Sequence, residues 1–144
     1  MTEAQKKIVQ YKNLVKDVEE FITYFDGTQD NFLHGNCYWF ATILKARFQN
    51  FYPDVDIVYN QIDNHFAVMI APDEAAAFLF DASGYIDRYW EDGYDNCHWQ
   101  RWDTYRIFEP LDAARVYRDC VWHMSEEEWE QLPPAIREKP WIYI

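Results

Sequence analysis

Asn64-His65-Phe66-Ala67-Val68-Met69-Ile70 reads as a β-strand that is apolar on both of its faces. Alternation puts Phe66, Val68 and Ile70 on one side and His65, Ala67 and Met69 on the other. A strand with two apolar faces belongs in the middle of its sheet. Residues 55–61 upstream form a second strand, and Asp63-Asn64 supplies the tight turn between the two. Downstream, Pro72-Asp73-Glu74 turns the chain into a third strand at 77–81, Ala77-Phe78-Leu79-Phe80-Asp81. Three strands joined by short turns pair antiparallel, because parallel neighbours need long crossovers.

Helices flank this sheet. In residues 3–25, Ile8, Tyr11, Leu14, Val15, Val18, Phe21, Ile22 and Phe25 recur at intervals of three and four, the spacing of one helix face. Asp26-Gly27 stops that helix. A second helix is expected at 36–49, with Cys37, Phe40, Ala41, Leu44 and Phe48 on its apolar side, ended at Tyr52-Pro53-Asp54. Residues 85–103 are aromatic and polar without a period of two or 3.6, which reads as a structured loop with a short helix. Thr104-Tyr105-Arg106-Ile107-Phe108 reads as a further strand, and Pro110 to Arg118 as helical. Ser125 to Leu132 is another helix, opened by a Ser125-x-x-Glu128 capping box and closed by Pro133-Pro134. The apolar tail Trp141-Ile142-Tyr143-Ile144 is expected to dock. The fold class is α+β, N-terminal helices packed on a small antiparallel sheet, in a single domain spanning 1–144.

Composition limits the function. The 144 residues are 49% hydrophobic, with 4 Gly and 6 Pro, enough apolar surface for one real core and too few breakers for a linker. The formal net charge of −12 argues against nucleic acid or an anionic membrane as partner, since both need clustered Lys and Arg. It allows a protein partner through an acidic surface, densest at Glu126-Glu127-Glu128. Three Cys, an odd number, with no secretory apolar region at the start and no 18-residue apolar run, fit free thiols and a cytoplasmic setting.

The residues that carry chemistry lie on the predicted elements in a telling order: Cys37 at a helix start, His65 at a strand start, Asp81 at the end of the next strand. Thiolate, not thiol, is the good nucleophile. A helix N-terminus favours it through unpaired N–H groups and partial positive charge, and Gly35-Asn36 are suitable residues just ahead of one. An imidazole within reach takes the proton. A carboxylate on the other ring nitrogen fixes the tautomer and stabilises the imidazolium. His65 shares its face with small or flexible neighbours, which leaves room for Asp81. Singly, each residue has an ordinary reading: a small buried hydrophobe, a hydrogen-bonded histidine, a turn aspartate.

At these residues the chain resembles the papain-like cysteine-protease superfamily, and within it the transglutaminase-like branch. Gly35-Asn36-Cys37-Tyr38-Trp39-Phe40-Ala41 is similar to that branch's Gly-x-Cys-x-x-x-Ala helix start. Asn64-His65-Phe66-Ala67-Val68 resembles its histidine strand, and Phe80-Asp81-Ala82-Ser83-Gly84 its short strand ending in Asp. The likeness covers residues 30–85. It implies Cys37 as nucleophile, His65 as base and Asp81 as third member of a triad. It also implies an oxyanion-binding side chain before the Cys, a place nearest to Asn31, with Gln29 two residues earlier.

The expected function is therefore a cysteine-dependent hydrolase or acyltransferase acting on an amide or thioester of a protein or peptide substrate, without a cofactor or metal. The rival is the same scaffold with weak or dead chemistry, acting as an acidic protein-binding inhibitor. A zinc site from Cys97-His98 and Cys120-x-x-His123 is the remaining alternative, disfavoured because adjacent Cys-His pairs rarely close on one ion.

Overall fold

The computed structural model describes residues 1–25, 27, 32, 35–74, 76–88, 99–102 and 114–143 and, within these, all side chains except those of residues 87, 88, 141 and 143. It is an α+β arrangement: a long N-terminal helix and further helices packed on a five-stranded antiparallel sheet.

Helix α1 spans Glu3–Ile22 and continues as a 3-10 turn at Thr23–Phe25. Its start is fixed by a reciprocal capping box. The Thr2 hydroxyl accepts the Gln5 N–H, and the Gln5 side chain accepts the Thr2 N–H. Only Leu14, Val18 and Ile22 are fully buried. Ile8 is 54% exposed, so the apolar stripe is in use only from Tyr11 onward. Two polar contacts tie α1 to the sheet. The Tyr11 hydroxyl donates to Asp73 at 2.8 Å, and the Glu19 carboxylate accepts the Tyr85 N–H at 3.3 Å.

Helix α2, Cys37–Phe48, buries Cys37, Phe40, Ala41, Leu44 and Phe48, the five residues the periodicity assigns to its inner side. Strands β1 (Asp54–Asn60), β2 (His65–Asp73) and β3 (Ala76–Asp81) follow, within a residue or two of their expected limits. The sheet order is β4-β3-β2-β1-β5, with β2 central. Two strands differ from the expected loop at 85–103: β4 (Gly84–Arg88) pairs with β3, and β5 (Trp99–Arg101) pairs with β1. Both are short edge strands, and no residue of β5 is fully buried. Arg101 anchors β5 by bridging to Asp54 and Asp56 on β1.

The pleat divides the core in two. Phe66, Val68 and Ile70 join Phe78 and Phe80 under the helices, against Leu14, Val18, Phe40 and Leu44. Val58, Ala67, Met69, Ala71 and Leu79 form a smaller cluster on the opposite face, with Ile86 and Trp99 against it.

Beyond the sheet, residues 114–121 are helical, and their last part, Tyr117–Val121, is a π-helix whose wide turn is closed by the Trp122 N–H on the Tyr117 carbonyl at 2.9 Å. Helix α3 (Glu126–Glu130) carries the expected capping box at Ser125. Helix α4 (Pro134–Glu138) and a 3-10 turn at Pro140–Tyr143 complete the description. In the tail Pro140 is buried but Ile142 is 61% exposed, so docking does not extend to Ile142. The expected strand at 104–108 and the helix start at 110–113 lie outside the described residues.

Candidate active site

The site lies at the end of the sheet where β2 begins. Continuing the β2–β3 register from Val68↔Phe80 sets Asp81 across from Ala67, two residues beyond His65. His65 and Asp81 are then diagonal neighbours on one face, and the methyl of Ala67 leaves them room to meet. His65 Nε2 lies 2.8 Å from Asp81 Oδ2. The second carboxylate oxygen, Oδ1, accepts the Ser83 backbone N–H at 2.8 Å and the Ser83 hydroxyl. Asp81 is thus held at both oxygens and is 8% exposed.

Cys37 comes from the other side. It is the first residue of α2 and belongs to the helix-facing core. Alternation gives His65 to the opposite face. The two meet because His65 is the first residue of its strand, where the sheet ends, and Cys37 sits over that end. The His65 ring and the Phe66 backbone both bear on the Cys37 thiol and favour its charged form. With Nε2 committed to Asp81, Nδ1 is the ring nitrogen left for Cys37. The structure thus brings Cys37, His65 and Asp81 to one end of the sheet.

Electrostatics follow from this chain of contacts. The Cys37 thiol is drawn down to about 5; a hydrogen bond from the Cys120 thiol is the largest cause, burial opposes it, and His65 and the Phe66 N–H add to it. For His65 burial alone would favour the neutral ring, but its bonds to Asp81 and Cys37 prevail and raise it to about 9. Burial pushes Asp81 up, yet the His65 and Ser83 hydrogen bonds hold it below the usual carboxylate range. All three shifts run in the direction that favours a thiolate, an imidazolium and a carboxylate side by side.

The Asn36 side chain makes no capping hydrogen bond, unlike the role its type suggests, so α2 begins without a side-chain cap. Gly35, at φ +131°, allows the turn into the helix. A Cβ there would overlap the His123 ring, 1.8 Å from Nδ1. Asn64, at φ 51°, delivers His65. Its Oδ1 accepts the Tyr59 hydroxyl at 2.6 Å, its Nδ2 approaches the Arg115 carbonyl and the Asp119 carboxylate, each at 3.4 Å, and its carbonyl lies 3.0 Å from Cys120 Sγ.

Sequence reasoning missed Ser83, Asn64 and Cys120 as parts of the site. Ser83 follows Asp81 by two residues, a recognisable local turn contact. The one local signal at Cys120, its spacing from His123, was read toward zinc, and its nearness to Cys37 arises only through the packing of the π-helix on α2. The oxyanion candidates Asn31 and Gln29 lie outside the described residues, as do Cys97 and His98 of the zinc alternative. Cys120 and His123 face the Cys37 cleft together. Among the described residues no three His, Cys, Asp or Glu side chains gather as a metal site, and no helix is long and apolar enough to cross a membrane.

No family model, curated protein or solved structure matches this chain.

Proposed function

We propose that this protein is a cysteine-dependent hydrolase or acyltransferase of the transglutaminase-like kind, acting on an amide or thioester of a protein or peptide. The observation that carries the reading is the meeting of three groups at one end of the sheet: the His65 ring 2.8 Å from the Asp81 carboxylate, and the Cys37 thiol under the influence of that ring. In this reading the Cys37 thiolate attacks the carbonyl carbon, and the His65 imidazolium gives its proton to the departing amine or thiol. The acyl group is then a thioester on Cys37. Neutral His65 removes a proton from water or an acceptor amine, which attacks the thioester and restores the thiolate. Asp81 keeps the ring aimed and offsets its charge, and Ser83 keeps Asp81 aimed.

The test is brief iodoacetamide treatment of the reduced protein near pH 6, followed by peptide mapping, with an activated ester as acyl donor in parallel. Cys37 alkylates first, His65→Ala slows it sharply, and the acyl adduct forms on Cys37. Equal alkylation of Cys37, Cys97 and Cys120 in the native protein would overturn the reading. The exposed carboxylates of Glu126, Glu127 and Glu128 favour a second reading, an acidic protein-binding inhibitor, which requires no reactive thiolate and gives no acyl adduct.

A further inference from the structure

Cys120 has no part in the proposed acyl chemistry, yet it shares a cleft with Cys37. Both are free, buried thiols. They line one cleft of about 290 Å³, with Gly35, Asn64, His123 and Met124 among its walls. The Cys120 thiol donates to the Asn64 carbonyl at 3.0 Å, which holds its sulfur at the wall it shares with Cys37. Their carriers are fixed on each other. The π-helix packs on α2, the Trp39 indole N–H donates to the Val121 carbonyl, and the His123 ring lies against the Gly35 backbone.

We propose that Cys37 and Cys120 form a reversible dithiol–disulfide couple in which a hydroperoxide oxidises Cys37 and Cys120 resolves the product. The Cys37 thiolate attacks the outer peroxide oxygen. The S–O bond forms, the O–O bond breaks, and the released hydroxide or alkoxide leaves as water or alcohol with a proton from His65. Cys37 is then a sulfenic acid. The Cys120 sulfur attacks the Cys37 sulfur. The S–S bond forms, the S–O bond breaks, and the hydroxyl departs as water with the Cys120 proton. Two thiols and one hydroperoxide become a disulfide, water and an alcohol or second water. A dithiol reductant returns the couple by exchange.

The environment sets the order of events. Cys120 is pushed well above the usual thiol range, first by its hydrogen bond to Cys37 and then by burial. Cys37 has the start of α2 and the His65 ring beside it, whereas the Cys120 thiol is turned to the Asn64 carbonyl, so Cys37 is the sulfur that meets the oxidant. Sulfenic acid at Cys37 is neutral, so the largest restraint on the Cys120 proton is gone when it is needed. Oxidation also removes the acyl nucleophile, and the couple becomes an off state for the proposed enzyme. The inference shares the Cys37 thiolate with that reading but does not require the acyl step.

The full chain is reduced with dithiothreitol, desalted, exposed to hydrogen peroxide at pH 7, blocked with N-ethylmaleimide and digested without reductant. Mass spectrometry should find the Cys37 and Cys120 peptides joined, with two hydrogens lost and Cys97 blocked. Dithiothreitol should restore both thiols. In Cys120→Ser and Cys120→Ala, each checked for fold by circular dichroism, the joined peptide is lost and dimedone captures a sulfenic acid on Cys37. Sulfinic acid on Cys37 of the natural chain with Cys120 still blocked by maleimide overturns the proposal, as does a link to Cys97 or no reaction with peroxide. A joined peptide without an acyl adduct from the activated ester would remove the enzyme reading and leave the couple standing. An acyl adduct without a joined peptide would do the reverse.

Discussion

His65 touches Asp81 with one ring nitrogen and Cys37 with the other, so its charge state controls both. Cys37 lies below its ordinary range, at about 5, and is deprotonated above that pH. His65 lies above its ordinary range, at about 9, and stays protonated below it. These limits bound the pH window expected for the proposed ion pair. kcat/KM for an amide or activated ester should rise as pH passes about 5 and fall as it passes about 9, the two limbs belonging to the pair together. Cys37 alkylation should be nearly independent of pH from 6 to 8, where an ordinary thiol gains about tenfold per pH unit. A tenfold gain at Cys37 would show that the thiolate is not preformed. Asp81→Asn removes a contact that holds the imidazolium, so the alkaline limb should move to lower pH. The amide also favours the wrong tautomer, and activity should fall on the order of 10⁴-fold with substrate binding little changed. Because Asp81 works through His65, Asp81→Asn/His65→Ala should be scarcely worse than His65→Ala. Losses that multiply would assign Asp81 to the turn before Gly84 instead.

Placement of the thiol depends on the register of α2. Leu44 is completely buried one turn beyond Ala41, and Lys45 beside it holds Asp56 at 3.4 Å from a partly exposed position. Leu44→Ala should cost about 2–5 kcal/mol. Lys45→Ala should cost at most about 1 kcal/mol, since the ion pair is partly solvated. Asp56 also keeps Arg101 as a partner. Urea midpoints of the two variants should separate clearly, and coincident midpoints would break the register on which Cys37 rests. This helix was legible in the sequence because its inner residues repeat at three and four over twelve positions. β1, β2 and β3 were legible because they are apolar runs between turn residues. β4 and β5 were not, because their pairing is dictated by the strands beside them and β5 has only three residues. The same distinction runs through the site. Cys37, His65 and Asp81 sit at the ends of elements that could be read, and their chain order carried the chemistry. Asn64 and Cys120 act across 56 residues of sequence, and nothing local to Cys120 announces the contact.

Folding brings these parts together within a chain of net charge −12. A surplus of that size sets up a negative potential over the surface, which concentrates cations and repels anions near a cleft. Asp119, on the wall of the Cys37 cleft, is paired with Arg118 at 2.8 Å and adds little net charge by itself. Any bias on charged molecules approaching the cleft therefore comes from the summed field more than from one carboxylate. Two methanethiosulfonates of similar size, one bearing trimethylammonium and one bearing sulfonate, measure it directly at Cys37 in the reduced protein. At low salt the cationic reagent should react about tenfold faster or more, after correction for their rates with a free thiol. In 1 M salt, where screening acts within about 3 Å, the two rates should converge. A ratio near unity at low salt would show that the surplus charge does not reach the cleft. A large ratio that survives 1 M salt would mean that a short-range contact inside the cleft selects the cation. A ratio that collapses with salt points to basic peptide segments as the substrates that reach Cys37 fastest.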